Sequence, residues 1–196
     1  MRCRGVGTGG RVQPKTGFAE LKHCALSGLG PPSDCGFRKI VDMAAVKIRE
    51  ARCGDEDELA EMRALLWPDA TAEQHRQEAK ALIETGMSGT LPGAILVALA
   101  ASESLTGFIE VGLRSHADGC DMAQPVCFIE GWYVREGHQG RGVGRELMRA
   151  AEKWARARQC REMASDALID NVESVRAHRA LGFEEVDRCV HFRKQL

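Results

Sequence analysis

Several things are missing from this sequence, and each absence removes a class of function. Net charge is almost absent: 27 Lys and Arg stand against 28 Asp and Glu, a formal −1 at pH 7. Nothing overall therefore argues for a nucleic-acid or anionic-membrane partner. Long apolar runs are also absent. The longest, AILVALAA from Ala94, has the length of a strand and falls far short of the roughly 20 residues a membrane-spanning helix needs. No apolar core of a secretory signal precedes the first regular segment. The eight cysteines contain no CxxC pair, and none has a histidine at zinc-finger spacing, so no metal site is expected. Scattered cysteines without a signal read as reduced thiols of a cytoplasmic protein.

What is present is unevenly distributed. Residues 1–42 carry seven basic and three acidic side chains, leaving 20 basic against 25 acidic in the remainder. The first segment, with GVGTGG and SGLGPPSDCG, has no sustained period and is expected to be a flexible or non-native tail. Residues 43–196 are expected to form one acidic domain suited to a cationic ligand.

Within that domain AVKIRE alternates like a strand. GDEDELAEMRALLW follows as a helix, with Asp55 and Glu58 at capping-box spacing, and Thr71 with Gln74 opens a second helix to about Thr85. GAILVALA and LTGFIEVGLR read as a hairpin, and PVCFIEGWYV as a third long strand. A long helix, VGRELMRAAEKWARAR, is followed by the short strand EMASD and the helix NVESVRAHRAL, stopped by Gly182. FEEVDRCVHFRK is expected to end the domain as a strand or hairpin. The expected class is an α/β chain of mixed topology, without a regular βαβ alternation.

Three glycines at alternate positions stand out in HQGRGVGRELM: Gly140, Gly142 and Gly144. Glycine costs a helix about 1 kcal/mol relative to alanine, so their place at a helix mouth needs a reason. A bare turn entering a helix exposes N–H groups at the positive end of the dipole, where Arg141 and Arg145 add charge. Phosphate is the natural ligand. The spacing is neither G-x-G-x-x-G nor a P-loop ending in GK[ST].

The stretch Gln139-Gly140-Arg141-Gly142-Val143-Gly144 does resemble the Q/R-x-x-G-x-G/A segment of the GNAT N-acetyltransferase superfamily. NVESVRAHRALGFEE, with Asn171, Ser174 and Leu181-Gly182-Phe183, resembles that family's later helix and turn. The resemblance spans Val46 to Lys194. It implies a GNAT fold of the α/β (α+β) class, with a mixed, mostly antiparallel central sheet that is flanked by helices and splays after CFIEGWYV to admit acetyl-CoA. It also implies cofactor contacts from Trp132, Val134, residues 139–144 (Gln139, Gly140, Arg141, Gly142, Val143 and Gly144), Arg145 and Asn171. A backbone N–H of Trp132 or Val134 would polarise the thioester carbonyl.

LLWPDA, DGCD, FIEGWYV, CREMASD, HRALGFEE and HFRK together are similar to aminoglycoside 6'-N-acetyltransferases, the resistance enzymes within that superfamily. The similarity implies that Glu130, Asp166 and Asp187 bind substrate ammonium groups and that Trp67 lines the pocket. Asp187 stands where those enzymes carry a longer acid. His116 falls in the expected substrate loop. Asp166 is the favoured base or amine-positioning group with Glu130 as its partner, because the attacking amine must lose a proton. Many GNAT enzymes use a Tyr as acid toward the departing thiolate, and here His178 occupies that place. Cys120 and Cys127 raise an acyl-enzyme alternative, which direct transfer displaces. A homodimer is implied, with the C-terminal strand near its interface. Other acceptors remain open from sequence: a polyamine, another small amine or a protein N-terminus, or no catalysis beyond coenzyme A binding.

Overall fold

The computed structural model describes residues 46–190 and 192–195; the expected tail, residues 1–42, lies outside the described residues. Chain order is β1 (Lys47–Glu50), α1 (Glu56–Leu66), α2 (Ala72–Thr85), β2 (Met87–Ser88), β3 (Leu91–Leu99), β4 (Leu105–Arg114), β5 (Val126–Val134), α3 (Val143–Ala157), β6 (Met163–Ser165) and α4 (Val172–Ala180). The sheet runs β1-β3-β4-β5-β6, with β2 paired to β3 off this path. All pairings are antiparallel except β5 with β6.

Alternation in β3 supplies two cores. Ile95, Val97 and Leu99 face α1 and α2, where they meet Leu59, Met62, Ala79 and Phe108. Leu96 and Ala98 face the opposite way, toward Leu147, Met148, Ala151 and Trp154 of α3. A strand buried on both faces reads as a continuous apolar run, which is how GAILVALA appears in the sequence. The buried positions of α3 recur at Val143, Leu147, Met148, Ala151, Trp154 and Ala155, one apolar stripe on a helix.

Two expectations are corrected. The box at Thr71 and Gln74 forms as read, but Asp55 makes no side-chain cap. Its carboxylate instead accepts from Arg49 at 2.6 and 2.9 Å and from the Arg52 N–H at 2.8 Å. Glu58 accepts from the Leu105 N–H at 2.8 Å. Stronger charge-assisted partners outcompete the cap. The second correction is at the C-terminus: residues 183–190 form no strand. Val186, Val190 and Phe192 are exposed there, Phe192 at 92%. Among the described residues no strand supplies that segment with a ladder.

Candidate active site

The pairing of β5 with β6 covers three residue pairs and ends at Ile129–Ser165, while β5 continues to Val134. Beyond that point the two strands diverge. Arg135 N–H donates to the Thr106 carbonyl on β4 at 2.8 Å. Alternation therefore turns the N–H and C=O groups of Trp132 and Val134 the other way, toward the gap. Among the described residues no strand pairs with that edge. The Gln139 side-chain amide donates to the Val134 carbonyl at 2.9 Å, which ties the glycine loop to the edge and leaves the Val134 N–H directed outward.

The loop that follows bends through left-handed glycines: Gly137 (φ 82°), Gly140 (φ 70°) and Gly142 (φ 84°). Gly142 is the N-cap of α3 and no side chain caps the helix. Arg141 and Arg145 are exposed beside it and make no ion pair among the described residues. An uncapped helix end with two unpaired arginines suits a pyrophosphate. Gly144 has a different physical reason: a Cβ there would lie 2.8 Å from the Trp132 ring. That glycine admits the indole against the first turn of α3.

On the opposite face of the sheet the register shifts at Glu110 and Val111, whose partners are Gly131 and Ile129. Glu130 is thus the extra residue of a β-bulge, a device that re-aims a side chain. Its carboxylate lies over Gly112 and accepts two bonds from Arg114, Nε at 3.1 Å and Nη2 at 2.7 Å. The Arg114 guanidinium also sits 3.3 Å from the Phe128 ring centroid. Arg114 and Glu130 lie far apart in sequence, and only the register brings them together.

Trp67 stands over this region at the end of α1. A Cβ on Gly131 would be 2.5 Å from its ring, so glycine is required for the indole to lie on β5. His75 Nε2 is 2.8 Å from the Trp67 carbonyl, and the Arg63 guanidinium lies 4.7 Å from the indole centroid. Arg63, with 2% of its side chain exposed, donates to Glu110 and to Glu78. Burial pushes the Arg63 guanidinium down from its ordinary range, while Glu78 pulls it back up. This buried network was not anticipated; an Arg within the apolar stretch EMRALLW was its only sequence signal.

Asp166 follows β6 directly and is exposed. Glu130 and Asp166 each follow the last register pair, Ile129–Ser165, at the point where the two strands diverge. Ser165, which sequence reasoning passed over, is 3.0 Å from His178 Nε2. His178 Nδ1 is 2.8 Å from the Ser174 carbonyl. In the neutral ring Nδ1 therefore carries the hydrogen, and Nε2 accepts from the Ser165 hydroxyl. The imidazole is wedged edge-on between Trp132 and Phe183, at 5.7 and 5.3 Å between centroids. Asn171 spends its side-chain oxygen on capping α4, accepting from the Ser174 N–H at 3.1 Å.

Two expected substrate residues are not drawn in. His116 is exposed, its Nδ1 3.0 Å from Ser115 Oγ. Asp187 is exposed on the irregular C-terminal segment and accepts from the N–H of Arg188. Burial pushes the Cys127 thiol up to about 12, with Cys160 adding to the shift; such a thiol is a poor nucleophile.

Known proteins match this architecture. Residues 59–183 match the acetyltransferase (GNAT) family. An aminoglycoside N(6')-acetyltransferase type 1 from Stenotrophomonas maltophilia is 40% identical over 153 residues, covering 78% of this chain and 95% of that protein. Its counterpart from Klebsiella aerogenes is 40% identical over 151 residues, covering 76% and 96%. Among solved structures, AAC(6')-Iy in complex with the bisubstrate analogue CoA-S-monomethyl-acetylneamine superposes with a TM-score of 0.69 at 31% identity, covering 77% of this chain and 99% of that one. A 6'-N-acetyltransferase from Acinetobacter baumannii gives 0.68 at 30% identity, covering 77% and 99%. With the splayed strands, the glycine loop and the uncapped α3 all in one frame, this chain belongs to the GNAT family of acetyltransferases.

Proposed function

We propose that the protein transfers the acetyl group of acetyl-CoA to the 6'-amino group of aminoglycosides, the activity named for its 40%-identical relatives. The observation that carries the reading is the convergence at one divergence point of an anion cradle and carboxylates. The α3 N-terminus, Arg141 and Arg145 lie to one side of the split between β5 and β6. Glu130 and Asp166 emerge beside it.

The residues divide the work as follows. The α3 backbone N–H groups with Arg141 and Arg145 hold the pyrophosphate, and the outward edge of Trp132 and Val134 holds the pantetheine arm. A backbone N–H on that edge donates to the thioester oxygen as charge develops there, a contribution of roughly 3–4 kcal/mol for a well-placed donor. Asp166 accepts the proton of the attacking amine, directly or through water, while Glu130 holds a second ammonium. Aminoglycoside amines are mostly protonated near neutrality, by analogy with an α-amino pKa of about 8, so a base has to be supplied. His178, hydrogen-bonded to Ser165, fills the place of the family's acid toward the departing sulfur. A thiol pKa of about 8.5 makes this acid assistance a minor contribution. Trp67 forms an apolar wall against the sugar rings.

The chain acts as a homodimer in this reading. Val186, Val190 and Phe192 recur on one parity of a segment that finds no strand partner among the described residues, and an apolar alternating segment suits pairing with a second copy. Light scattering after gel filtration reports the mass, and Phe192→Asp is expected to shift it to the monomer. The activity is tested by release of coenzyme A with kanamycin, its 6'-hydroxyl analogue, spermidine and a peptide as acceptors. Turnover with kanamycin and none with the hydroxyl analogue is the expected result; turnover confined to spermidine or peptide would overturn the aminoglycoside assignment.

A further inference from the structure

A cation already occupies the carboxylate that the substrate needs. Arg114 grips Glu130 with two hydrogen bonds, at 3.1 and 2.7 Å, and stacks 3.3 Å from the Phe128 centroid. Paired carboxylate below and aromatic face beside it are what any bound ammonium or guanidinium group would seek here. Unlike Arg63, this arginine is not locked in: 43% of its side chain is exposed, against 26% for Glu130. It is the last residue of β4, at the start of the polar loop 115–125, so its head has solvent to swing into.

We infer that Arg114 is a specificity-determining residue: an internal stand-in for the cationic substrate that must be exchanged off Glu130 before the substrate can dock. This rests on the acetyltransferase reading above. Exchange has a threshold built into its chemistry. A lone ammonium replaces a bidentate, stacked guanidinium with a single point charge, which is a losing trade. A polycation meets Glu130 and Asp166 together, and the second contact offsets the lost guanidinium pair. Arg114 therefore selects for acceptors carrying several charges and against simple monoamines. Before substrate arrives, it also keeps the bulged carboxylate oriented and neutralised.

The test compares the whole protein with Arg114→Gln and Arg114→Lys, using kanamycin and a monoamine such as glucosamine as acceptors. Arg114→Gln is expected to lower KM for kanamycin about threefold to fivefold, the range open to a partly exposed ion pair. It is expected to narrow the preference for kanamycin over the monoamine, with Arg114→Lys intermediate. In a Glu130→Gln background the Arg114→Gln effect on KM should vanish, since the two residues act as one pair. An unchanged or raised KM in Arg114→Gln would overturn the inference and make Arg114 an orienting clamp on Glu130. Should Arg114→Gln fail to fold, the same comparison is read from Arg114→Lys, where an unchanged or raised KM counts against the inference in the same way. Wild-type turnover is the separate control: activity only toward another amine overturns the aminoglycoside reading, and the KM ratio is then read with that amine.

Discussion

Two Arg–Glu pairs lie on the same face of β4 and β5, and they serve opposite ends. Arg63–Glu110 is buried, with 2% and 9% of the side chains exposed, and it holds α1 to the sheet beneath Trp67. Arg114–Glu130 is open, at 43% and 26%, at the end of β4. Both put a cation beside an aromatic ring, Trp67 in one case and Phe128 in the other. The difference is desolvation. A buried ion left without its partner has no water to turn to, so the first pair is effectively permanent. The second can be exchanged at little cost, because solvent receives whichever charge leaves.

The largest expected effect breaks the buried pair. Arg63→Ala strands Glu110 and should destabilise the fold by about 3–5 kcal/mol, read as the denaturation midpoint. Adding Glu110→Met to Arg63→Met should recover much of the loss. Failure to recover would mean that Glu78, the other partner of Arg63, matters more than Glu110. Next is Gly131→Ala, between the two pairs in the register. The new methyl would meet the Trp67 ring at 2.5 Å, a strain of about 1–3 kcal/mol. It should raise KM for aminoglycosides while leaving KM for acetyl-CoA near its starting value.

A third ion pair sharpens the scale between these extremes. Arg49–Asp55 is partly buried, at 20% and 10%. Burial pushes the Asp55 carboxyl up, but hydrogen bonds from Arg49 and the Arg52 N–H outweigh it and hold it below the usual carboxylate range. A lowered folded-state pKa contributes stability above the unfolded value of about 4 and loses it as pH falls through the folded value. Asp55→Asn should therefore cost about 1–2 kcal/mol at pH 7, with the difference from wild type shrinking below pH 4. A difference that stayed constant down to pH 2 would separate the effect from ionisation. The smallest stability effect belongs to the open pair: Arg114→Gln should change stability by less than about 1 kcal/mol, its consequence appearing in substrate KM.

Much of the fold was legible because its signals are local. The apolar stripe of α3, the box at Thr71 and Gln74, the continuous run of β3 and the stop at Gly182 are all read within a few turns of chain. The glycine turn was legible too, since Gly140 and Gly142 are needed for backbone angles other residues rarely adopt. What escaped was long-range pairing. Asp55 and Glu58 have capping-box spacing, yet each is taken by a more distant partner. Gly144 reads as part of a phosphate motif, and its place against Trp132 is invisible until β5 and α3 are folded together. Ser165 and His178 are 13 residues apart and meet only because α4 packs back across the end of β6.

The sequence by itself determined the acetyltransferase frame, the acidic domain and the glycine loop, because periodicity, backbone preference and charge travel with the chain. Tertiary structure alone decided which charges are available for work. Whether a carboxylate is a bare receptor, a buried brace or one already holding a cation depends on what lies across the sheet from it. A single β-bulge turned Glu130 toward Arg114, while Glu110, paired opposite Gly131, was buried against Arg63. Register and burial set that difference, since the strength of an ion pair depends on how much water it keeps.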